Sequence, residues 1–276
     1  MNFSDAKVST QTFIAYSNIG DINLRSLYEE LETSSRIVAV SYKEMERGVP
    51  KKKKKIKKNF LNCVSCVVQI RVDKRVAVKI FNTGTFQLTG CKCFDHARRA
   101  VTAVWREMKT FVGPMDAYVV SVMRNIDFGL GFAIDRERWR EHVANNTRYE
   151  TTPIVRRVSA GIKLTIPVSS DPIVRKLSFD PSGRRTETVA SRAESLRIRP
   201  SVESTVTITV FSSGKVSMSG TDETCQKPAY DWFVDEIRVA RDAIEVKKAP
   251  SKTFADYLPA ARRAIHFPDL NKFLIN

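Results

Sequence analysis

The residues best able to do chemistry are few and scattered. Cys63, Cys66, Cys91, Cys93 and Cys225 supply the thiols, and His96, His142 and His266 the imidazoles. Cys63-x-x-Cys66 with Cys91-x-Cys93 and His96 offers the atom types that zinc takes in a tetrahedron. A tight zinc knuckle sits in a turn, whereas both pairs fall in or beside extended segments. Neighbouring strands could carry all four, but reduced structural thiols without a metal are expected. An odd, unevenly spaced set also argues against a secreted disulfide framework. No histidine lies near a serine or cysteine pattern typical of a nucleophile, and no Walker loop, GxGxxG or HExxH occurs. Gly129 and Gly131 lie in Phe-Gly-Leu-Gly-Phe, which reads as strand or bulge, not as a phosphate cradle. Carboxylates form no cluster suited to metal-dependent nuclease chemistry. The expectation is a non-enzymatic protein with no cofactor.

Charge points to the partner. The net charge of +16 is large for 276 residues and favours a polyanion, either nucleic acid or an anionic membrane face. No apolar stretch approaches the ~20 residues that span a bilayer, and the first residues lack the apolar core of a secretory signal. Double-stranded DNA in an intracellular compartment is therefore expected, with no membrane. The densest charge is KKKKKIKK at 51–58, inside a loop over 48–60 that begins Gly48-Val49-Pro50. Lys51, Lys52, Lys53, Lys54 and Lys55 are candidates for phosphate contact. A nuclear-import signal or a solvated linker are the other readings of the run.

An internal repeat supplies the framework. Residues 76–91 read VAVKIFNTGTFQLTGC and 206–221 read VTITVFSSGKVSMSGT; at an offset of 130 the Phe, both Gly and several apolar positions coincide. Both read as β-hairpins with period-2 faces. In the first, Val76, Val78, Ile80, Phe86 and Leu88 share one face, and Lys79, Phe81, Gln87 and Thr89 the other. In the second, Ile208, Val210, Val216 and Met218 oppose Thr209, Phe211, Ser217 and Ser219. Helical stretches follow at 94–111 and 225–244. Their stripes, Ala97, Val101, Val104, Trp105, Met108 and Ala229, Phe233, Ile237, Ala240, Ile244, suit them to cover a sheet. Leading strands at 8–17 and 117–128, short helices around Leu24–Leu31 and Trp139–Val143, and strands at 64–72 and 158–166 complete each half. The order predicts an α+β fold: two pseudo-repeats joined into one curved antiparallel β-saddle, with helices on the convex face. Joining also removes a free edge strand from each half.

At these residues the chain resembles the TATA-box-binding protein family. Phe81-Asn82-Thr83-Gly84 with Thr89-Gly90, and Phe211-Ser212-Ser213-Gly214-Lys215 with Ser219-Gly220, match its strand–Phe–turn–strand–Thr-Gly pattern; the second is the closer match. The resemblance covers roughly 8–111 and 115–244 and is strongest in the hairpin-plus-helix units. With its long basic insertions the chain looks most like the TATA-binding-like proteins of large DNA viruses. That implies a nuclear or viral replication compartment, or packaging in a virion.

The resemblance implies a concave sheet seated on a widened minor groove, with phenylalanines wedged between base steps. Unstacking a step costs a few kcal/mol, offset when bent DNA wraps more protein. Phe81 and Phe211 look like the wedges; packing under their own loops is the alternative. Lys79, Gln87, Thr89, Thr209, Ser217 and Ser219 would face the groove. The pattern departs from the family in that the second wedge of each repeat has no Phe in register, Phe60 being nearest and several residues early. The family's central groove-reading asparagines have no secure match, and Gln11 is a candidate stand-in. These departures bear on TATA preference and bend angle.

The divisions are a first repeat over 1–111, a second over 112–246 with an insertion at 168–203, and a tail over 247–276. In the insertion, Ile173–Phe179, the turn Asp180-Pro181-Ser182-Gly183 and Arg184–Ala190 read as an extra β-arm, basic at its tip. The apolar tail is expected to pack on its own saddle, a partner or a second subunit. Two functions follow: a transcription-initiation-type factor recruiting transcription machinery, or an assembly or genome-packaging protein on a retained scaffold.

Overall fold

The computed structural model describes residues 2–48, 62–154, 161–169, 171, 173–198 and 204–247. The lysine run at 51–55, Phe60 and the tail beyond 247 lie outside these residues. In chain order the elements are β1 (Lys7–Ser17), α1 (Leu24–Glu30), β2 (Ile37–Tyr42), β3 (Met45–Gly48), β4 (Cys63–Arg71), β5 (Lys74–Phe81), β6 (Thr85–Cys91) and α2 (Phe94–Val112). There follow β7 (Met115–Gly129), α3 (Arg136–Asn146), β8 (Thr151–Ile154), β9 (Gly161–Val168), β10 (Val174–Phe179), β11 (Arg185–Val189), α4 (Arg192–Ile198), β12 (Ser204–Phe211), β13 (Lys215–Gly220) and α5 (Glu223–Ile244).

The two halves form one sheet, ordered β3-β2-β4-β5-β6-β1-β7-β13-β12-β9-β8, with β1 and β7 paired at the centre and every pairing antiparallel. Register decides where the helices lie, because residues paired across a ladder point to the same face. Val78 pairs with Leu88, Leu88 with Phe13, and Phe13 with Ser121. Across the β7 bulge, Gln11 pairs with Arg124 and Val8 with Ile126, which pairs with Met218 and so with Ile208. The core under α2 and the core under α5 are thus on one side of one sheet. This is the two-repeat saddle expected from the sequence, with helices on its convex face.

Both predicted stripes are buried: Ala97, Val101, Val104, Trp105 and Met108 on α2, and Ala229, Phe233, Ile237, Ala240 and Ile244 on α5. Burying such a stripe removes about 25 cal/mol for each Å² of apolar surface taken from water, which is why amphipathic helices seat here. The repeat also shows in backbone detail. The turn carbonyls of Asn82 and Gly84 accept from the N–H groups of Ile22 and Ser17 (2.8 and 3.2 Å). Those of Ser212 and Gly214 accept from Ile134 and Leu130 (3.0 and 2.8 Å). Each half therefore ties its hairpin turn to the loop leaving its central strand.

Three segments differ from the sequence reading. Residues 37–48, left without an element, form the hairpin β2–β3, turned by Lys43 at φ 52°. A short edge strand, β8, carries Pro153, tolerable where one side of the strand needs no donor. The insertion has the predicted two strands and turn but is no free arm. β10 pairs with Met115–Val120 of β7 beyond the end of β13, and Leu177 and Phe179 enter the core beneath α2.

The first turn of α2 carries Asp95, whose carboxylate accepts from Arg99 at 2.7 Å and from Arg98. Burial acts to raise its pKa, but those two hydrogen bonds outweigh it and hold the carboxyl at about 2. A folded-state pKa below the unfolded value means the stabilisation exists above about pH 3.8 and disappears as pH falls toward 2. Asp95→Asn should thus cost about 1 kcal/mol at pH 7, allowing for solvent screening and including the favourable helix-dipole position. Urea unfolding of variant and parent should converge near pH 2; an equal difference at both pH values would show that the charge is not the cause.

Candidate nucleic-acid interface

The face without helices α2 and α5 is built by alternation. With Val78, Ile80, Phe86, Leu88, Ile208, Val210, Val216 and Met218 buried beneath those helices, their neighbours must point the other way. Phe81, Lys79, Gln87, Thr89, Phe211, Thr209, Ser217 and Ser219 all share this open face. Lys79 pairs with Gln87, Thr209 with Ser217, and Thr207 with Ser219. The structure thus brings together all eight sheet candidates; the five lysines at 51–55 lie outside the described residues.

Phe81 and Phe211 end β5 and β12, each the third strand out from the central seam on its own side. Both are half-buried. Phe81 stands opposite Cys63 on β4 and Phe211 opposite Gly161 on β9. A methyl group on Gly161 would touch the Phe211 ring at 3.3 Å, so the missing side chain there leaves the ring its seat.

Several open-face residues were not singled out from the sequence. Thr165, Thr207, Ser219, Asn125 and Thr10 pair in succession across β9, β12, β13, β7 and β1. This is an uncharged band of hydrogen-bonding groups, in which Ser219 Oγ donates to Asn125 Oδ1 at 2.7 Å. Lys163, paired with Thr209, adds charge beside it. Met123, 49% exposed, pairs with Thr12 at the seam. Gln11, in contrast, does not reach this face. It is buried on the helix side, where its amide donates to Ser121 Oγ at 2.9 Å and Ser121 donates on to the Thr221 carbonyl. Asn125 is the central amide that the open face presents. A bulge between Ser121 and Met123 shifts the alternation, which is why simple parity along β7 does not reveal it.

The open face is not bare throughout. Val120 and Val174 pair with each other on it, yet both are fully buried and neither belongs to the cores under α2 and α5. Other parts of the insertion lie close to Val174. The Ala190 N–H donates to the Val174 carbonyl, Ser195 of α4 is buried, and Lys176 helps lower the pKa of Glu194 after the hydrogen bonds from Ser191. Lys176 is itself bound to Asp116 at 2.8 Å and lies over the Tyr118 ring.

Cys63, Cys66, Cys91 and Cys225 are buried and Cys93 is exposed. Cys66 faces the core and Cys63 pairs with Phe81 on the other side, so their spacing sends the two thiols apart. Burial, and then Cys63, push the Cys66 thiol up to about 12. Burial likewise raises Cys91 to about 12, against Lys74 and with Cys93. Such thiols stay protonated and make poor ligands or nucleophiles. Among the described residues no three His, Cys, Asp or Glu side chains group to hold a metal ion, and no helix is long and apolar enough to cross a membrane.

No family model and no curated protein matches the chain. Among solved structures it is similar to Methanococcus jannaschii TBP, with 15% identity and a TM-score of 0.47, over 85% of this chain and 98% of that one.

Proposed function

We propose that this protein binds double-stranded DNA without catalysis, laying its open face along the minor groove as a transcription-initiation-type factor. The observation that carries this reading is the matched pair Phe81 and Phe211, set on corresponding strands of the open face. Apolar side chains so placed enter base steps, while Thr, Ser, Asn and Gln meet the acceptors of A·T pairs. The +16 charge supplies the sequence-independent attraction. The convex helices are then left for transcription machinery or a second copy, and the site of action is the nucleus or a viral replication compartment. A second reading, an assembly or genome-packaging protein on the same scaffold, is favoured by the burial of Val120 and Val174 on the proposed groove face.

A·T-rich and G·C-rich duplexes, with bending followed by energy transfer, test both readings. The expected result is saturable binding with a bend. Phe81→Ala with Phe211→Ala should reduce the bend more than the affinity, because the bonds to phosphate survive removal of the rings. Replacing Lys51–Lys55 by glutamine should flatten the salt dependence by about 0.9 in log–log slope for each phosphate no longer neutralised. Binding without a bend, indifferent to the rings, selects the packaging reading. Failure to bind duplex at low salt removes both.

A further inference from the structure

On the convex side, away from the proposed groove face, a cavity of about 340 Å³ lies between α2, the end of β4 and β11. Among the described residues five arginines line it, Arg36, Arg98, Arg99, Arg106 and Arg185, with Thr102 among them, and no carboxylate does. Asp95 and Glu187 stand at its margin but are shared. Asp95 serves Arg71, Arg98 and Arg99, and Glu187 serves Arg98 and Arg175. Arg36, Arg106 and Arg185 make no ion pair with any described carboxylate. Arg185 is held instead by the Thr102 hydroxyl at 3.1 Å.

Two further observations make this more than a solvated basic surface. The Nε atoms of Arg98 and Arg185 are buried and make no hydrogen bond. A buried donor left so costs about 1–3 kcal/mol, more when charged. Burial and then Arg98 depress the pKa of Arg185; Glu187 opposes them and Arg106 adds to them. Crowded guanidiniums with spare N–H groups destabilise a fold unless an anion neutralises them, and their fork matches phosphate oxygens.

We infer that this cavity is a binding site for a small, multiply charged phosphate-bearing anion. Its size suits a few phosphoryl groups and their substituent. The site is independent of the DNA reading, since it lies on the opposite side of the sheet.

Inorganic tripolyphosphate is the probe, titrated calorimetrically into the full chain, with sulfate at matched ionic strength as the comparison. The expected result is one site per chain, at least tenfold tighter for tripolyphosphate than for sulfate. Arg36→Gln with Arg106→Gln, both outside the hydrophobic core and therefore safe for folding, should weaken it at least tenfold while leaving the unfolding midpoint without ligand unchanged or raised. Arg185→Lys should weaken it less than Arg185→Gln. Equal affinity in the Arg36/Arg106 variant, several weak equivalent sites, or sulfate binding as tightly would overturn the proposal. So would stoichiometric displacement of tripolyphosphate by a DNA duplex, which would make the cavity part of a nucleic-acid surface.

Discussion

Gly84→Ala and Gly214→Ala are each expected to lower the stability of the protein by roughly 3–5 kcal/mol, in the range kept for severe backbone conflicts. Both glycines have left-handed backbone, φ 74° and 78°. That conformation alone costs an L-residue about 1–2 kcal/mol. The larger part is steric. A Cβ on Gly84 would overlap the Ile19 carbonyl, and one on Gly214 the Phe132 carbonyl. These are backbone atoms in the very loops that bond the two turns, so relief means breaking the Ser17–Gly84 or Leu130–Gly214 hydrogen bond. Gly183, at φ 89° in the turn between β10 and β11, provides the control, since nothing lies within 4 Å of its added methyl. Gly183→Ala should cost only about 1 kcal/mol. Urea unfolding of the three variants decides the matter: equal losses would mean that φ explains everything and that the loops contribute nothing. Because Phe81 and Phe211 immediately precede these turns, the same loops also fix where the two rings stand.

Trp105→Ala and Phe179→Ala should each cost about 3–5 kcal/mol. Trp105 is 1% exposed, its indole N–H donates to the Gly113 carbonyl at 3.0 Å, and its ring stacks on Phe179 with centroids 4.8 Å apart. A double-mutant cycle should return a coupling of about 1 kcal/mol between the two rings. The Phe179 result is the informative one. Were the insertion a projecting arm, truncating a ring on it would leave global stability untouched; as part of the first repeat's core, it lowers the single unfolding transition of the whole sheet.

Much of this architecture was legible because the hairpins obey strict alternation. Val78 and Lys79, or Ile208 and Thr209, differ so sharply in polarity that only one assignment of faces is economical. The stripes of α2 and α5 were legible for the same reason. What escaped notice depends on long-range partners. Leu177 and Phe179 look like any alternating strand, and only pairing with β7, far earlier in the chain, shows that they fill the core under α2. Asn125 was hidden by a bulge, and Gln11 was misplaced because a polar residue on a leading strand suggests an exposed one. In fact Gln11 satisfies a buried Ser121, which donates in turn to the Thr221 carbonyl in the second repeat. The arginine cavity was equally out of reach, because its members come from well-separated stretches of the chain.

The strand β10 has one more consequence. It lies against Met115–Val120 of β7, whereas among the described residues no strand pairs with Lys7–Thr10 of β1 on the side away from β7. The two halves would otherwise be near-equivalent under a half-turn about the central seam. Any partner without that two-fold symmetry could then dock in two orientations of almost equal energy. With β10 and α4 on one side only, those orientations differ in free energy, and each step of about 1.4 kcal/mol makes one tenfold more populated. The insertion therefore gives the molecule a front and a back, so that an asymmetric partner would be held in one preferred direction.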